Sequence, residues 1–230
     1  MDARVKIIVD DEVMYMPPQV SLLQALRHEN INLPSLCYYS HLEPNGSCGL
    51  CLVEVYVGDG WQPKQSCLVQ VENGLRVKTK GPRILELRAR AARLLLKRGP
   101  FKKTEVRELL YNIIEEYQGS VNSSKDTEWA LQKQQIPKYS NAGCILCGLC
   151  VKMCRQIGKN QLVLLGRGEN LKVGLVAEGE NLNCGRCAAC RHLCPTGYID
   201  ADVAHVFSSR LYRLKPNPIS RKFSAKNRFL

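Results

Sequence analysis

Apolar and polar positions alternate over the first residues of the chain. Val5-Lys6-Ile7-Ile8-Val9 and Val13-Met14-Tyr15-Met16 read as a strand pair, with Asp10-Asp11-Glu12 as the turn. Pro17-Pro18 breaks the alternation. Ser21 is placed to cap a short helix carrying Leu22, Leu23 and Leu26. Residues 34–49 show no period and read as a loop. Alternation returns over residues 51–57 and stops at Gly58-Asp59-Gly60. Two more strands are expected, near residues 64–71 and 75–79. Strands around one helix predict a compact α+β unit ending near Lys80.

The period then changes from two to 3.6. Pro82 opens a helix, where proline is tolerated in the first turn, and Ile84, Leu85, Leu87, Ala91, Leu94 and Leu95 form its apolar stripe. Gly99-Pro100 ends it. Thr104 starts a second helix with Val106, Leu109, Leu110, Ile113, Ile114 and Tyr117, stopping at Gly119. A third helix is expected around Trp129 and Leu131, ending before Pro137. Further on, residues 161–165 and 171–176 read as two strands around a turn at 166–170. The pattern divides the chain into residues 1–80, a helical linker at 81–139, a small α+β unit at 140–206 and a basic tail at 207–230.

Cysteine changes this picture most. The chain has 12 cysteines, and they fall into three sets of four. Cys144, Cys147, Cys150 and Cys154 recur as Cys184, Cys187, Cys190 and Cys194, each displaced by 40 residues. A Cys-x-x-Cys-x-x-Cys run offers three thiolates in one tight loop, enough for three corners of a cubane, and the fourth cysteine is expected on a helix. The arrangement resembles two-cluster ferredoxins, in which that fourth cysteine ligates the other cluster. The resemblance implies one [4Fe–4S] cluster on Cys144, Cys147, Cys150 and Cys194, and a second on Cys154, Cys184, Cys187 and Cys190. Cys194-Pro195 completes the motif, whereas Cys154 is followed by Arg155. Zinc is the competing reading, although zinc ribbons use two separated pairs rather than a triplet plus one.

The remaining set is Cys37, Cys48, Cys51 and Cys67, with gaps of 10, 2 and 15 residues. Plant-type ferredoxins have a first gap of about four, but the longer loop still allows two cysteines per iron of a [2Fe–2S] core. Gly46, Ser47 and Gly49 suit such a loop, because small residues let backbone N–H groups approach sulfur. A further zinc site or buried free thiols are the alternatives. His41 lies in this loop and His192 inside the second cubane motif. Each is a candidate for tuning the site by a hydrogen bond, and an ordinary solvent-facing imidazole is the alternative for each. His28 is expected on the surface.

Charge and composition add constraints. The formal net charge is +12. Each four-thiolate cluster carries roughly −2, so three bring the total to roughly +6. The surface is still basic, which suits an acidic protein partner, and no nucleic-acid module is visible. The N-terminus lacks the basic-then-apolar plan of a leader, and the apolar runs are too short for a membrane span. A cytoplasmic protein is expected, with no disulfide scaffold. No Gly-x-Gly-x-x-Gly follows a strand, no nucleophile–base pair stands out, and every cysteine is allocated to a cluster. The chain reads as an electron carrier with no catalytic residues of its own.

Specific segments carry a family resemblance. Pro34-Ser35-Leu36-Cys37-Tyr38 and the run from Gly46 through Val55 resemble the N-terminal iron–sulfur region of the large subunit of respiratory NADH dehydrogenase. The same region occurs in NAD-linked [NiFe] hydrogenases, electron-bifurcating [FeFe] hydrogenases and formate dehydrogenases. Ser66-Cys67, Val77-Lys78-Thr79, the helix end Leu94-Leu95-Leu96-Lys97-Arg98-Gly99-Pro100 and the run from Cys144 through Val151 continue it. The resemblance implies a β-grasp-type [2Fe–2S] ferredoxin domain, a helical linker and a two-[4Fe–4S] ferredoxin domain. It also implies a hetero-oligomer, with a flavoprotein oxidising NAD(P)H and a further redox subunit or ferredoxin as partners. Flavin and NAD(P) are expected only on those partners. The family has one more [4Fe–4S] cluster, held by one histidine and three cysteines after the Leu-rich helix. Here residues 101–143 contain neither residue type, so three clusters are expected. A freestanding polyferredoxin and a zinc-stabilised binding module are the other functional readings.

Overall fold

The computed structural model describes residues 4–120, 142–176, 187 and 189–199. The N-terminal alternation forms β1 (Val5–Val9) and β2 (Glu12–Met16), paired antiparallel in the register Val5↔Met16 to Val9↔Glu12. Asp10 and Asp11 make the turn at φ 47° and 70°, a conformation that a two-residue hairpin requires and that aspartate tolerates. Helix α1 (Leu22–His28) starts at Ser21, whose Oγ accepts from Gln24 N–H at 3.3 Å. Strands β3 (Leu52–Val57), β4 (Gly60–Gln65) and β5 (Arg76–Lys78) complete a sheet of order β2-β1-β5-β3-β4. β1 and β5 run parallel and the other neighbours antiparallel. This is a β-grasp sheet. Leu22, Leu23, Ala25 and Leu26 of α1 pack with Ile7, Val9, Met16, Val53, Val55 and Val77 in its core.

One expected strand is displaced. Residues 64–71 read as a strand, but β4 begins immediately after the turn, at Gly60, and ends at Gln65. The chain then folds back: Ser66 N–H and Oγ donate to Cys51 O at 3.0 and 2.8 Å. That turn brings Cys67 to the interior at 1 % exposure, a requirement that alternation does not reveal.

Helices α2 (Pro82–Leu96) and α3 (Thr104–Ser120) form as expected, but the buried face of α2 is not the expected stripe. Leu94 is 64 % exposed, whereas Arg88, Ala89 and Ala92 are buried with Ile84 and Leu95, because Arg88 turns inward to backbone carbonyls. Ala89, Ala92 and Leu95 of α2 and Val106, Leu110, Ile113 and Ile114 of α3 form a second core. This core also takes in Leu36, Cys37, Cys48 and Leu50 from the N-terminal loop, and Ile145, Cys147, Leu149, Met153 and Leu193 from the C-terminal region. The helical pair therefore joins the two cysteine-bearing regions through shared buried surface.

The C-terminal region contains α4 (Leu149–Gln156), β6 (Leu162–Leu165), β7 (Lys172–Leu175) and α5 (Ala189–Leu193). β6 and β7 pair antiparallel as expected, from Leu162↔Leu175 to Leu165↔Lys172. Cys154 lies on α4. Cys194, expected on a helix, instead directly follows α5, because Pro195 cannot continue it. The helix expected around Trp129, Cys184, His205 and the tail at 207–230 lie outside the described residues. No helix among the described residues is long and apolar enough to cross a membrane.

Candidate metal centres

The first site grows from the loop after α1 and the start of β3. Cys37, Cys48, Cys51 and Cys67 are all buried, at 1, 5, 1 and 1 % exposure, and none forms a disulfide. They meet two by two. Cys37 Sγ and Cys48 Sγ are 3.3 Å apart, and Cys48 N–H donates to Cys37 Sγ at 3.4 Å. The Cys67 thiol hydrogen-bonds to Cys51. The bond from Cys48 holds the Cys37 thiol down to about 5, and the bond from Cys67 holds Cys51 down to about 7. Their partners Cys48 and Cys67 are pushed up, first because each holds its proton in the hydrogen bond to the lowered sulfur, and then because a second thiolate there is desolvated and repelled. In each pair one sulfur is thus shifted toward the thiolate and the other toward the thiol. No three His, Cys, Asp or Glu side chains converge on one ion position among the described residues. Two irons with two thiolates each match the pairwise arrangement, and soft sulfur donors suit iron–sulfur cores.

The loop glycines have a conformational reason to be there. Gly46 and Gly49 lie at φ 61° and 69°, where a side chain is strained. A Cβ on Gly49 would also meet Ala91 Cβ at 3.2 Å, so the loop packs closely on α2. His41 is exposed and stacks edge-on against Tyr39, with ring centroids 5.6 Å apart. His28 pairs with Glu29 at the surface. His192 is half-buried, and its Nε2 is buried with no hydrogen-bond partner among the described residues.

The second site lies beside the first. Cys144, Cys147, Cys150 and Cys194 line one cavity together with Val173, Thr196, Tyr198 and Ile199. Burial pushes Cys144 up to about 11 and raises Cys147 and Cys150 further. Tyr198 moves up for the same reason. These thiols are desolvated rather than paired, and a metal that displaces their protons relieves that state. Cys154 is buried in the same cluster of side chains, with Cys190 packed against it.

Spacing gave no signal for the residues that grip this second site. Arg98 Nε donates to Cys144 O at 3.1 Å, Lys103 Nζ to Cys194 O at 2.7 Å and Asn45 Nδ2 to Cys147 O at 2.7 Å. Lys152 Nζ reaches back to Glu43 O at 2.8 Å and Pro44 O at 3.3 Å. Residues 43–45, in the loop of the first site, thus rest on the cysteine loop of the second. Gly148, at φ 74°, makes this approach possible: a Cβ there would lie 2.5 Å from Asn45 Nδ2.

A β-grasp sheet with four buried cysteines at one end defines the class, an iron–sulfur electron-transfer protein. Residues 2–82 match the family of the 2Fe-2S iron-sulfur cluster binding domain. Over 206 residues the chain is 27% identical to the NADPH-Fe(3+) oxidoreductase subunit alpha of Geobacter sulfurreducens, covering 84% of this chain and 24% of that protein. Over 255 residues it is 24% identical to the NADH-quinone oxidoreductase subunit 3 of Thermus thermophilus, covering 93% of this chain and 32% of that protein. The chain thus spans about a quarter to a third of the length of these relatives. An NAD+-reducing [NiFe]-hydrogenase in its H2-reduced state shares the fold, with a TM-score of 0.57, 24% identity and 75% coverage of each chain.

Proposed function

We propose that the chain is the iron–sulfur relay subunit of a multi-subunit, nicotinamide-linked oxidoreductase. In this reading Cys37, Cys48, Cys51 and Cys67 hold a [2Fe–2S] cluster. Cys144, Cys147, Cys150 and Cys194 hold one [4Fe–4S] cluster, and Cys154, Cys184, Cys187 and Cys190 hold another. The clusters supply one-electron redox capacity. The protein excludes water around the cysteines, fixes their backbone and keeps the sites together. The reading divides the chain into a [2Fe–2S] domain at 1–80, a helical segment at 81–139, a two-cluster domain at 140–206 and a tail at 207–230. It places the protein in the cytoplasm.

The observation that carries the reading is the continuity between sites. One buried core contains Cys37 and Cys48 from the first and Cys147 from the second, and Asn45 bonds directly across. Two adjacent cysteine sites joined by one buried core suit a relay that needs donors and acceptors on other chains. The relatives support a nicotinamide partner, since their names carry NADPH, NADH and NAD+. A flavoprotein oxidising NAD(P)H and a further redox subunit or ferredoxin are the partners proposed.

Anaerobic purification with associated proteins tests this. About ten irons per chain are expected if all three sites fill, together with copurifying flavoprotein. A colourless protein with zinc in place of iron rejects the relay. An iron-loaded protein that purifies alone, as a stable monomer, favours a freestanding polyferredoxin.

A further inference from the structure

Arg88 sits in the middle of α2 at 4 % exposure. A guanidinium does not lose its proton in a protein interior, so this is a fixed buried cation. Its Nε and Nη2 donate to Leu52 O at 3.1 and 2.5 Å, and Nη2 donates to Thr79 O at 2.9 Å. Backbone carbonyls satisfy its hydrogen bonds without neutralising its charge. None of the ion pairs among the described residues includes it. Three groups attract it electrostatically: Glu116, Cys51 and Asp10. Glu116 and Asp10 are exposed, and the Asp10 carboxylate is already engaged by the N–H and Oγ1 of Thr79. Solvent screens such charges. Cys51 is buried, and Leu52, whose carbonyl holds the guanidinium, is the next residue.

A second cation approaches the same cysteine site from α1. Arg27 Nη2 donates to Ser35 Oγ at 2.7 Å and Leu33 O at 3.2 Å, and its guanidinium lies 5.6 Å from the centre of the Tyr38 ring. These contacts bracket Cys37. Arg27 Nε is buried and has no hydrogen-bond partner among the described residues. Electrostatically this arginine faces Tyr38, Cys51, Cys48 and Cys67.

We propose that Arg88 and Arg27 are the resident counter-charges of the N-terminal cysteine site, and that they hold the reduction potential of a [2Fe–2S] cluster bound there above its value without them. The inference rests on the assignment of Cys37, Cys48, Cys51 and Cys67 as ligands. Reduction adds one negative charge to a group that already carries roughly −2. A fixed cation in a poorly screened interior favours the more negative state. The same physics helps explain how the chain tolerates a buried arginine that forms no ion pair among the described residues: the thiolates of the site supply buried negative charge beside it. A purely mechanical tether between α2 and β3 accounts for the hydrogen bonds of Arg88 but predicts no change in potential when the charge is removed.

The test is an anaerobic redox titration of the full chain, followed through the electron paramagnetic resonance signal of the reduced [2Fe–2S] cluster. In Arg88→Met the potential should fall so that the reduced-to-oxidised ratio at fixed applied potential drops about tenfold, 59 mV for one electron. Arg88→Lys, which keeps the charge but changes the hydrogen bonds, should stay close to the parent protein. Arg27→Met should fall by less, since Arg27 is only half-buried. If Arg88→Met does not fold, Arg27→Met decides the matter. A parent-like potential in the methionine variants overturns the inference, as does an equal fall in Arg88→Lys and Arg88→Met. Absence of a [2Fe–2S] signal in the parent protein overturns the ligand assignment instead.

Discussion

The two cysteine sites are built in opposite ways. The N-terminal site hangs from a sheet domain whose core is complete without it. Of 14 buried residues in that core only Cys51 and Cys67 are cysteines. The C-terminal site carries a cluster of its own beside the core it shares with α2 and α3: among the described residues, four of the eight buried members of that cluster are Cys144, Cys150, Cys154 and Cys194. The chemistry differs in parallel. The N-terminal thiols arrive as hydrogen-bonded pairs, one member of each pair lowered toward the thiolate. Cys144, Cys147 and Cys150 are raised by burial. The first scaffold is built on buried hydrocarbon, whereas cysteine makes up half of the buried members of the second site's own cluster.

Removing the iron is the strongest way to break this contrast. Residues 142–199 should lose amide-exchange protection while β1, β3 and β5 keep theirs, because metal binding at a site with little other core is folding free energy. Hydrogen exchange followed by mass spectrometry reads both regions in one sample, and equal loss of protection in both would remove the distinction. A core deletion sharpens it next. Leu26→Ala and Leu110→Ala should each cost about 2–5 kcal/mol in denaturant unfolding. Leu26 belongs to the sheet core alone, so its variant should leave the C-terminal site intact. Leu110 lies in the core shared by both regions, so its variant should loosen both. Gly148→Ala should cost about 1–3 kcal/mol from its positive φ, and the crowded Asn45 contact should disturb the C-terminal site more than the sheet. The smallest effect is expected for Ser21→Ala. Losing the cap of α1 should cost about 1 kcal/mol, seen as a lower unfolding midpoint with no change at the C-terminal site.

Local pattern made much of the fold legible. The β1–β2 hairpin, α1, α2, α3 and the β6–β7 pair all follow from periods and breakers within a few residues of one another. The strand expected over 64–71 failed for a tertiary reason: Ser66 turns back onto Cys51 O to carry Cys67 inward. Site contacts made across long stretches of chain were not legible at all. Arg98, Lys103 and Asn45 bond to cysteine carbonyls 46, 91 and 102 residues away. As basic or polar residues in loops or at helix ends, they carry no spacing signature.

The amino-acid sequence by itself determined the donor chemistry. Twelve cysteines in three sets of four, two of them related by a 40-residue repeat, already separate the sites by type. Ligand spacing is a local property, set by how many residues a tight loop needs to present sulfur on one side. Tertiary structure alone decided what surrounds those sulfurs. It paired Cys37 with Cys48 and Cys51 with Cys67, laid residues 43–45 against the second cysteine loop, and buried Arg88 behind Leu52. Those placements depend on how the sheet and the α2–α3 pair close over each other, because a charge acquires its full effect only once neighbouring elements have excluded water from it.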